Sequence, residues 1–148
     1  MKSSEKLIEF VKRFEGFKAT AYKCSAGKWT CGFGRTRGIN KRTKCTEEEA
    51  TKWLKEDLEV AENAVKRLVK VELKQNQFDA LVSFTFNVGQ GALSISTLLK
   101  KLNSGDVRSA GFELLKWDKV RKNGKLEVSK GLARRRIAEL NMFESAIY

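Results

Sequence analysis

Residues 17–39 break the periodicity that governs the rest of the chain. Before them, Leu7, Ile8, Phe10, Val11 and Phe14 recur at spacings of three and four, the apolar stripe of an amphipathic helix. Ser3 or Ser4 can cap that helix and Glu15-Gly16 can end it. Beyond Gly16, Ala21-Tyr22-Lys23-Cys24, the turn residues Ser25-Ala26-Gly27 and Lys28-Trp29-Thr30-Cys31 read as a hairpin, with Gly32, Gly34 and Gly38 allowing tight turns nearby. Along the second strand Lys28, Thr30 and Gly32 share one face and Trp29, Cys31 and Phe33 the other. Thr30 is expected to face open space while Trp29 packs. One β segment set among helices is the pattern of an α+β fold with its β elements segregated.

Helical spacing resumes at Thr46-Glu47-Glu48-Glu49, a capping box with three acids in the first turn. Ala50, Trp53, Leu54, Leu58, Ala61, Val65 and Leu68 then carry an apolar stripe to about residue 70. At 1.5 Å per residue this helix is roughly 35–40 Å long, enough to connect two lobes. Residues 75–88 are apolar most of the way round, so a buried helix is expected there. Ser96–Leu102 with Gly105 as its stop, a helix from the cap Asp106 to about Asp118, the hairpin turn Lys122-Asn123-Gly124-Lys125 and a helix from about Leu132 to Phe143 complete the reading. The expectation is a single unit over 1–148, with a small β lobe at 16–45, a connecting helix at 46–70 and a helical lobe from 1–15 and 71–148.

Charge and composition narrow the chemistry. The net charge is +12, which attracts polyanions: nucleic acid, an anionic membrane surface and an acidic cell-wall polymer all satisfy it. Between Gly16 and Thr46 lie Lys18, Lys23, Lys28, Arg35, Arg37, Lys41, Arg42 and Lys44 with no acid, either a solvated basic face or one turned to a polyanion. Histidine is absent, which removes Ser-His-Asp and Cys-His catalysis and His-containing zinc sites. Cys24, Cys31 and Cys45 are odd in number and lack Cys-x-x-Cys spacing, so free thiols are expected, with no metal and no cofactor. The start of the chain lacks the apolar core of a signal peptide, and no run approaches the roughly 18 apolar residues of a membrane span.

Glu15 is the one acid near the β segment, set between Phe14 and Phe17. An apolar bracket disfavours the charged form of a carboxyl group, which is how a general acid is kept protonated near neutral pH. The plainer alternative is a solvated charge at a helix end. Glu15, eight residues, Cys24, five residues, Thr30 resembles the Glu-x8-Asp/Cys-x5-Thr triad of phage-type lysozymes, the endolysins of glycoside hydrolase family 24. Cys31-Gly32-Phe33-Gly34, the helix from Gln77 through Phe86-Asn87-Val88-Gly89, the run Ser96–Gly105 and Gly131-Leu132-Ala133-Arg134-Arg135-Arg136 resemble the same family in the same order.

That resemblance implies a lysozyme-like fold with a cleft between a small β-hairpin lobe and a larger helical lobe. It implies hydrolysis of the β-1,4 bond between N-acetylmuramic acid and N-acetylglucosamine in bacterial peptidoglycan. Glu15 matches the general acid. Cys24 stands where a second carboxylate is usual and is expected to act with Thr30 on the attacking water, its thiol pushed toward thiolate by Lys23 and the basic segment. Arg35 stands where His is common and is read as structural. Asn87 matches a cleft-lining amide, with a helix cap as its alternative, and Arg135 is expected to pair with Glu15 while Arg134 and Arg136 stay solvated or contact wall anions. Oxidation is expected to join Cys24 to Cys31 or Cys45. The expected protein is a monomer made in the host cytoplasm that acts on the wall after release, without nucleic acid or membrane insertion. A basic nucleic-acid-binding module, a lytic transglycosylase and a cationic membrane disruptor are the competing readings.

Overall fold

The computed structural model describes residues 1–148. Helix α1 (Glu5–Glu15) starts where Ser4 Oγ accepts from the Leu7 N–H at 3.1 Å and stops at Gly16, whose φ of 70° turns the chain away. Its stripe of Leu7, Ile8, Phe10 and Val11 is buried, so Glu15 is carried at the end of a rigid element.

Strands β1 (Lys18–Lys23) and β2 (Trp29–Gly32) pair antiparallel, with Tyr22 opposite Thr30. Cys45 N–H donates to Ala19 O at 2.9 Å and Ala21 N–H to Thr43 O at 3.0 Å, which ties the segment before the next helix to β1. The expectation for Thr30 fails here. It is 3% exposed, and Trp29 is the half-buried residue, with Lys23 Nζ 5.5 Å from its ring. Both faces of β2 are covered, since Thr30, Cys31 and Gly32 are buried in succession. Cys31 and Phe33 enter the core, and Tyr22 stands directly across from Thr30 on the other side. At Gly32 a Cβ would lie 2.9 Å from Ala50 Cβ, so only glycine lets β2 lie this close to the following helix.

That helix, α2 (Glu47–Leu68), has the expected capping box: Glu49 N–H donates to Thr46 Oγ1 and Thr46 N–H to Glu49 Oε1, both at 3.1 Å. Helix α3 (Gln75–Val88) is buried without interruption from Phe78 to Thr85. After Gly89, at φ 95°, come α4 (Gln90–Ile95), which the periodicity does not predict, then α5 (Thr97–Asn103), capped by Ser96, and α6 (Val107–Glu113), capped by Asp106. The helix expected to reach Asp118 stops at Glu113 and tightens into a 3-10 turn over Leu114–Lys116. Strands β3 (Lys119–Lys122) and β4 (Lys125–Val128) form the second hairpin, with Asn123 and Gly124 both at positive φ as its turn requires. Helix α7 (Lys130–Ser145) closes the chain. One cluster of 25 buried apolar residues runs through the helices and β2, and the two hairpins stay separate two-stranded sheets.

Asp79 of α3 fixes where α1 sits. Fully buried, its carboxylate accepts from Ser4 N–H at 3.1 Å, Ser4 Oγ at 2.5 Å, Gln75 Nε2 at 2.9 Å and Tyr148 OH at 2.6 Å. It joins the cap of α1 to α3 and to the last residue of the chain. Burial, and then the bond to Asp79, push the Tyr148 phenol up to about 12. Because that value lies above the unfolded one near 10, the group's contribution to stability is complete below pH of about 10 and is lost as pH rises through about 12. Asp79→Ala, which strands several buried donors, is expected to cost about 3 kcal/mol or more in urea unfolding. Tyr148→Phe is expected to cost about 1 kcal/mol and to reduce the alkaline loss of stability.

Candidate active site

Glu15 lies at the end of α1 beside the Gly-Phe-Gly turn. Its Oε1 accepts from Arg135 Nη1 at 2.9 Å, and its side chain is 23% exposed. A Cβ at Gly34 would stand 2.9 Å from Glu15 Oε2, and Gly34 has φ 85°, so both space and backbone demand glycine there. The apolar bracket is looser than expected. Phe14 and Phe17 are 39% and 36% exposed, and what meets the carboxylate is Arg135, whose guanidinium also lies 5.5 Å from the Phe14 ring.

Behind Arg135 stands a buried charge ladder. Arg135 Nε donates to Glu139 Oε2 at 3.3 Å and Nη2 to Ser83 Oγ at 3.4 Å, and Ser83 Oγ donates to the same Glu139 oxygen at 2.6 Å. Arg136 Nη1 lies 2.9 Å from Glu139 Oε1, and Arg136 Nη2 donates to Asn87 Oδ1. Arg136 and Glu139 are both fully buried, so Arg136 is no solvated charge, while Arg134 is exposed as expected. Burial pushes the Glu139 carboxyl up, with the guanidiniums of Arg136 and Arg135 opposing. The spacing that gives the ladder away is plain in hindsight: Arg135 and Arg136 stand four and three residues before Glu139, neighbours on one helix face.

Cys24 is free and half-buried at the start of the first hairpin's turn. Its thiol is held below the ordinary value by the backbone N–H of Lys28, then by the Thr30 hydroxyl and the Ala26 N–H. Hydrogen bonds, and not the lysines around it, favour the thiolate. Thr30 Oγ1 lies 3.0 Å from Lys28 O, a second acceptor for the same hydroxyl proton. Tyr22, which the sequence did not single out, feels the same charges. Its phenol is raised by burial and then by the negative charges of Glu15 and Cys24, so both charges lie near this one ring.

The cleft beside Glu15 has a volume of about 580 Å³. Its lining includes Glu15, Gly34, Arg37, Asp57, Thr85 and Asn87. Glu15 and Asn87 therefore meet in one cleft, whereas Cys24, Thr30 and Arg135 are not in its lining. Asn87 is inside α3, not at its cap, and its amide oxygen is taken by Arg136. Asp57 was also missed. Arg35 Nη1 donates to Asp57 Oδ1 and Glu56 Oε2, both at 3.2 Å, and to Trp53 O at 3.4 Å, which makes Arg35 the structural tie expected. Burial raises the Asp57 carboxyl and Arg35 opposes the shift. All three thiols are free: Cys31 and Cys45, both buried, have their sulfurs 3.4 Å apart, and Cys24 is half-buried at the turn. No three metal-ligating side chains converge, and no helix is long and apolar enough to cross a membrane.

The sequence profile of the phage lysozyme family matches residues 12–139. The endolysin of Acyrthosiphon pisum secondary endosymbiont phage 1 is 45% identical over 146 residues, covering 99% of this chain and all of that protein. The endolysin of Bacillus phage B103 is 41% identical over 97% of this chain, which spans 54% of that longer protein. Among solved structures, the endolysin from Escherichia coli O157:H7 phage FAHEc1 superposes with a TM-score of 0.95 at 36% identity, over 100% of this chain and 96% of that one.

The contrasting thiols are directly measurable. At neutral pH a small alkylating reagent is expected to modify Cys24 alone, with a pH midpoint below that of an ordinary cysteine. Cys45, pushed up to about 11 chiefly by burial, and the buried Cys31 are expected to react only after unfolding, as peptide mass spectrometry would reveal. Gly34→Ala is expected to reduce wall-clearing activity at least ~10-fold through displacement of Glu15.

Proposed function

The chain belongs to the phage lysozyme family and is a peptidoglycan-degrading muramidase, a glycoside hydrolase of lysozyme type, and we propose that Glu15 is its general acid. Hydrolysis of the β-1,4 bond between N-acetylmuramic acid and N-acetylglucosamine needs a proton for the leaving oxygen and a nucleophile at the anomeric carbon. With Oε1 bound to Arg135, Glu15 Oε2 is the oxygen left to deliver that proton. Cys24 holds and polarises the attacking water from beside the cleft, and the buried Thr30 hydroxyl supports its thiolate from behind. As the water oxygen bonds to the anomeric carbon, its proton passes to the Cys24 thiolate and the Glu15 proton passes to the departing sugar oxygen. Exchange with solvent then restores both groups.

Asn87 contributes to substrate binding. Its Oδ1 already accepts from Arg136, so its Nδ2 remains to donate to a carbonyl, such as that of an acetamido group. The observation that carries the reading is a carboxylate fixed at a cleft by a buried arginine. The catalytic unit spans 1–148, with the hairpin lobe at 16–45 and the helix at 46–70 joining it to the helical lobe at 1–15 and 71–148. The protein works as a monomer, reaches the wall after release from the cytoplasm in which it is made, and lyses the host; its +12 charge suits an acidic wall.

The test is clearing of a purified peptidoglycan suspension. Glu15→Gln, with its circular dichroism unchanged, is expected to lose at least ~100-fold, and the wild-type products are expected to carry one added water. Equal clearing by both proteins would remove Glu15 from the chemistry, and anhydro products would mean a transglycosylase.

A further inference from the structure

Two arginines leave the Gly34 turn and end in opposite states. Arg35 is consumed by the fold: besides its bonds to Trp53, Glu56 and Asp57, its Nε donates to Arg37 O at 3.2 Å and so fixes the backbone of its neighbour. Arg37 has a side chain 64% exposed, lines the cleft, and donates no side-chain hydrogen bond. Its Nη2 approaches Asp57 Oδ1 to 3.7 Å and Glu56 Oε2 to 3.9 Å, beyond the reach of a hydrogen bond, and those are the oxygens that Arg35 holds at 3.2 Å.

The other charges of the cleft wall are held by direct hydrogen bonds. Glu15 is answered by Arg135 and Asp57 by Arg35. Arg37 is the wall's only cation, on a backbone that Arg35 holds in place, and its ion pairs to Asp57 and Glu56 at 3.7 and 3.9 Å leave its side-chain N–H groups without a hydrogen bond. A planar guanidinium in that position suits a carboxylate, which it can engage through two parallel N–H···O bonds.

The substrate offers that group. Muramic acid carries a lactyl ether whose carboxyl is either free or extended by a short peptide, and the peptide bears free carboxylates of its own. Neutral chitin-type chains, with the same sugar backbone, have none. Resting on the muramidase reading, we propose that Arg37 is a specificity residue that binds a carboxylate of the muramyl side chain and makes the enzyme favour acidic peptidoglycan over a neutral glycan of the same linkage.

The experiment compares native peptidoglycan with peptidoglycan whose carboxylates have been capped as neutral amides by carbodiimide coupling. The proteins are the wild type, Arg37→Gln, Arg37→Lys and the charge control Lys41→Gln, which changes an exposed lysine outside the cleft lining. Arg37→Gln is expected to lose roughly tenfold in kcat/KM on native material, the size of one charge-assisted pair, mainly through KM. Capping is expected to slow the wild type and Lys41→Gln by a similar factor while slowing Arg37→Gln little further, and Arg37→Lys should fall between. Equal sensitivity to capping in the wild type and Arg37→Gln, or full activity of Arg37→Gln on native material, would overturn the proposal. A wild type inactive on native peptidoglycan would overturn the muramidase reading itself.

Discussion

The ion pair between Glu15 and Arg135 spans 120 residues of sequence, and the geometry of the site depends on it. Glu15 is delivered by a short helix whose start is pinned by Asp79. Arg135 is delivered by α7, and it can be buried only because Glu139 and Ser83 meet its other donors. An uncompensated guanidinium in that interior would cost several kcal/mol, whereas one bonded on several sides becomes a rigid support. The ladder continues through Arg136 to Asn87, so the acid and an amide of the same cleft are oriented by one connected set of charges.

A second tie holds the hairpin side to α2. Arg35 occupies a position where the resemblance led one to expect a titratable histidine, and it binds Asp57 and Glu56 instead. A guanidinium stays charged throughout the physiological range, so protonation of this residue cannot open the tie near neutral pH. The glycines on either side of Phe33 serve the same junction. Gly32 admits α2 and Gly34 admits the Glu15 carboxylate, each at a distance no Cβ would allow.

Much of this was legible in the sequence where local rules decide. The caps at Thr46 and Asp106, the choice of Ser3 or Ser4 ahead of α1, the Asn123-Gly124 turn and the stripe of α1 follow from hydrogen-bonding chemistry and apolar spacing within a few residues. The pairing of Arg135 with Glu15 was anticipated through family resemblance, because no local rule links residues so far apart. What failed was tertiary. Thr30 was expected in the open and is buried because β2 is covered on both faces. Arg136 was expected in solvent and lies in the core because Glu139 is there to receive it. Tyr22 and Asp57 gave no signal, since only the folded chain brings the first near Glu15 and Cys24 and the second to Arg35.

The most direct measurement is a double-mutant cycle on kcat for peptidoglycan clearing, with Arg135→Gln, Glu15→Gln and both together, each variant matched to the wild type by near-ultraviolet circular dichroism. If Arg135 acts by holding Glu15, Arg135→Gln lowers kcat while the double variant is no slower than Glu15→Gln alone, because residues that work as a unit are not additive. Losses that simply multiply, or an Arg135→Gln enzyme with wild-type kcat, would contradict it.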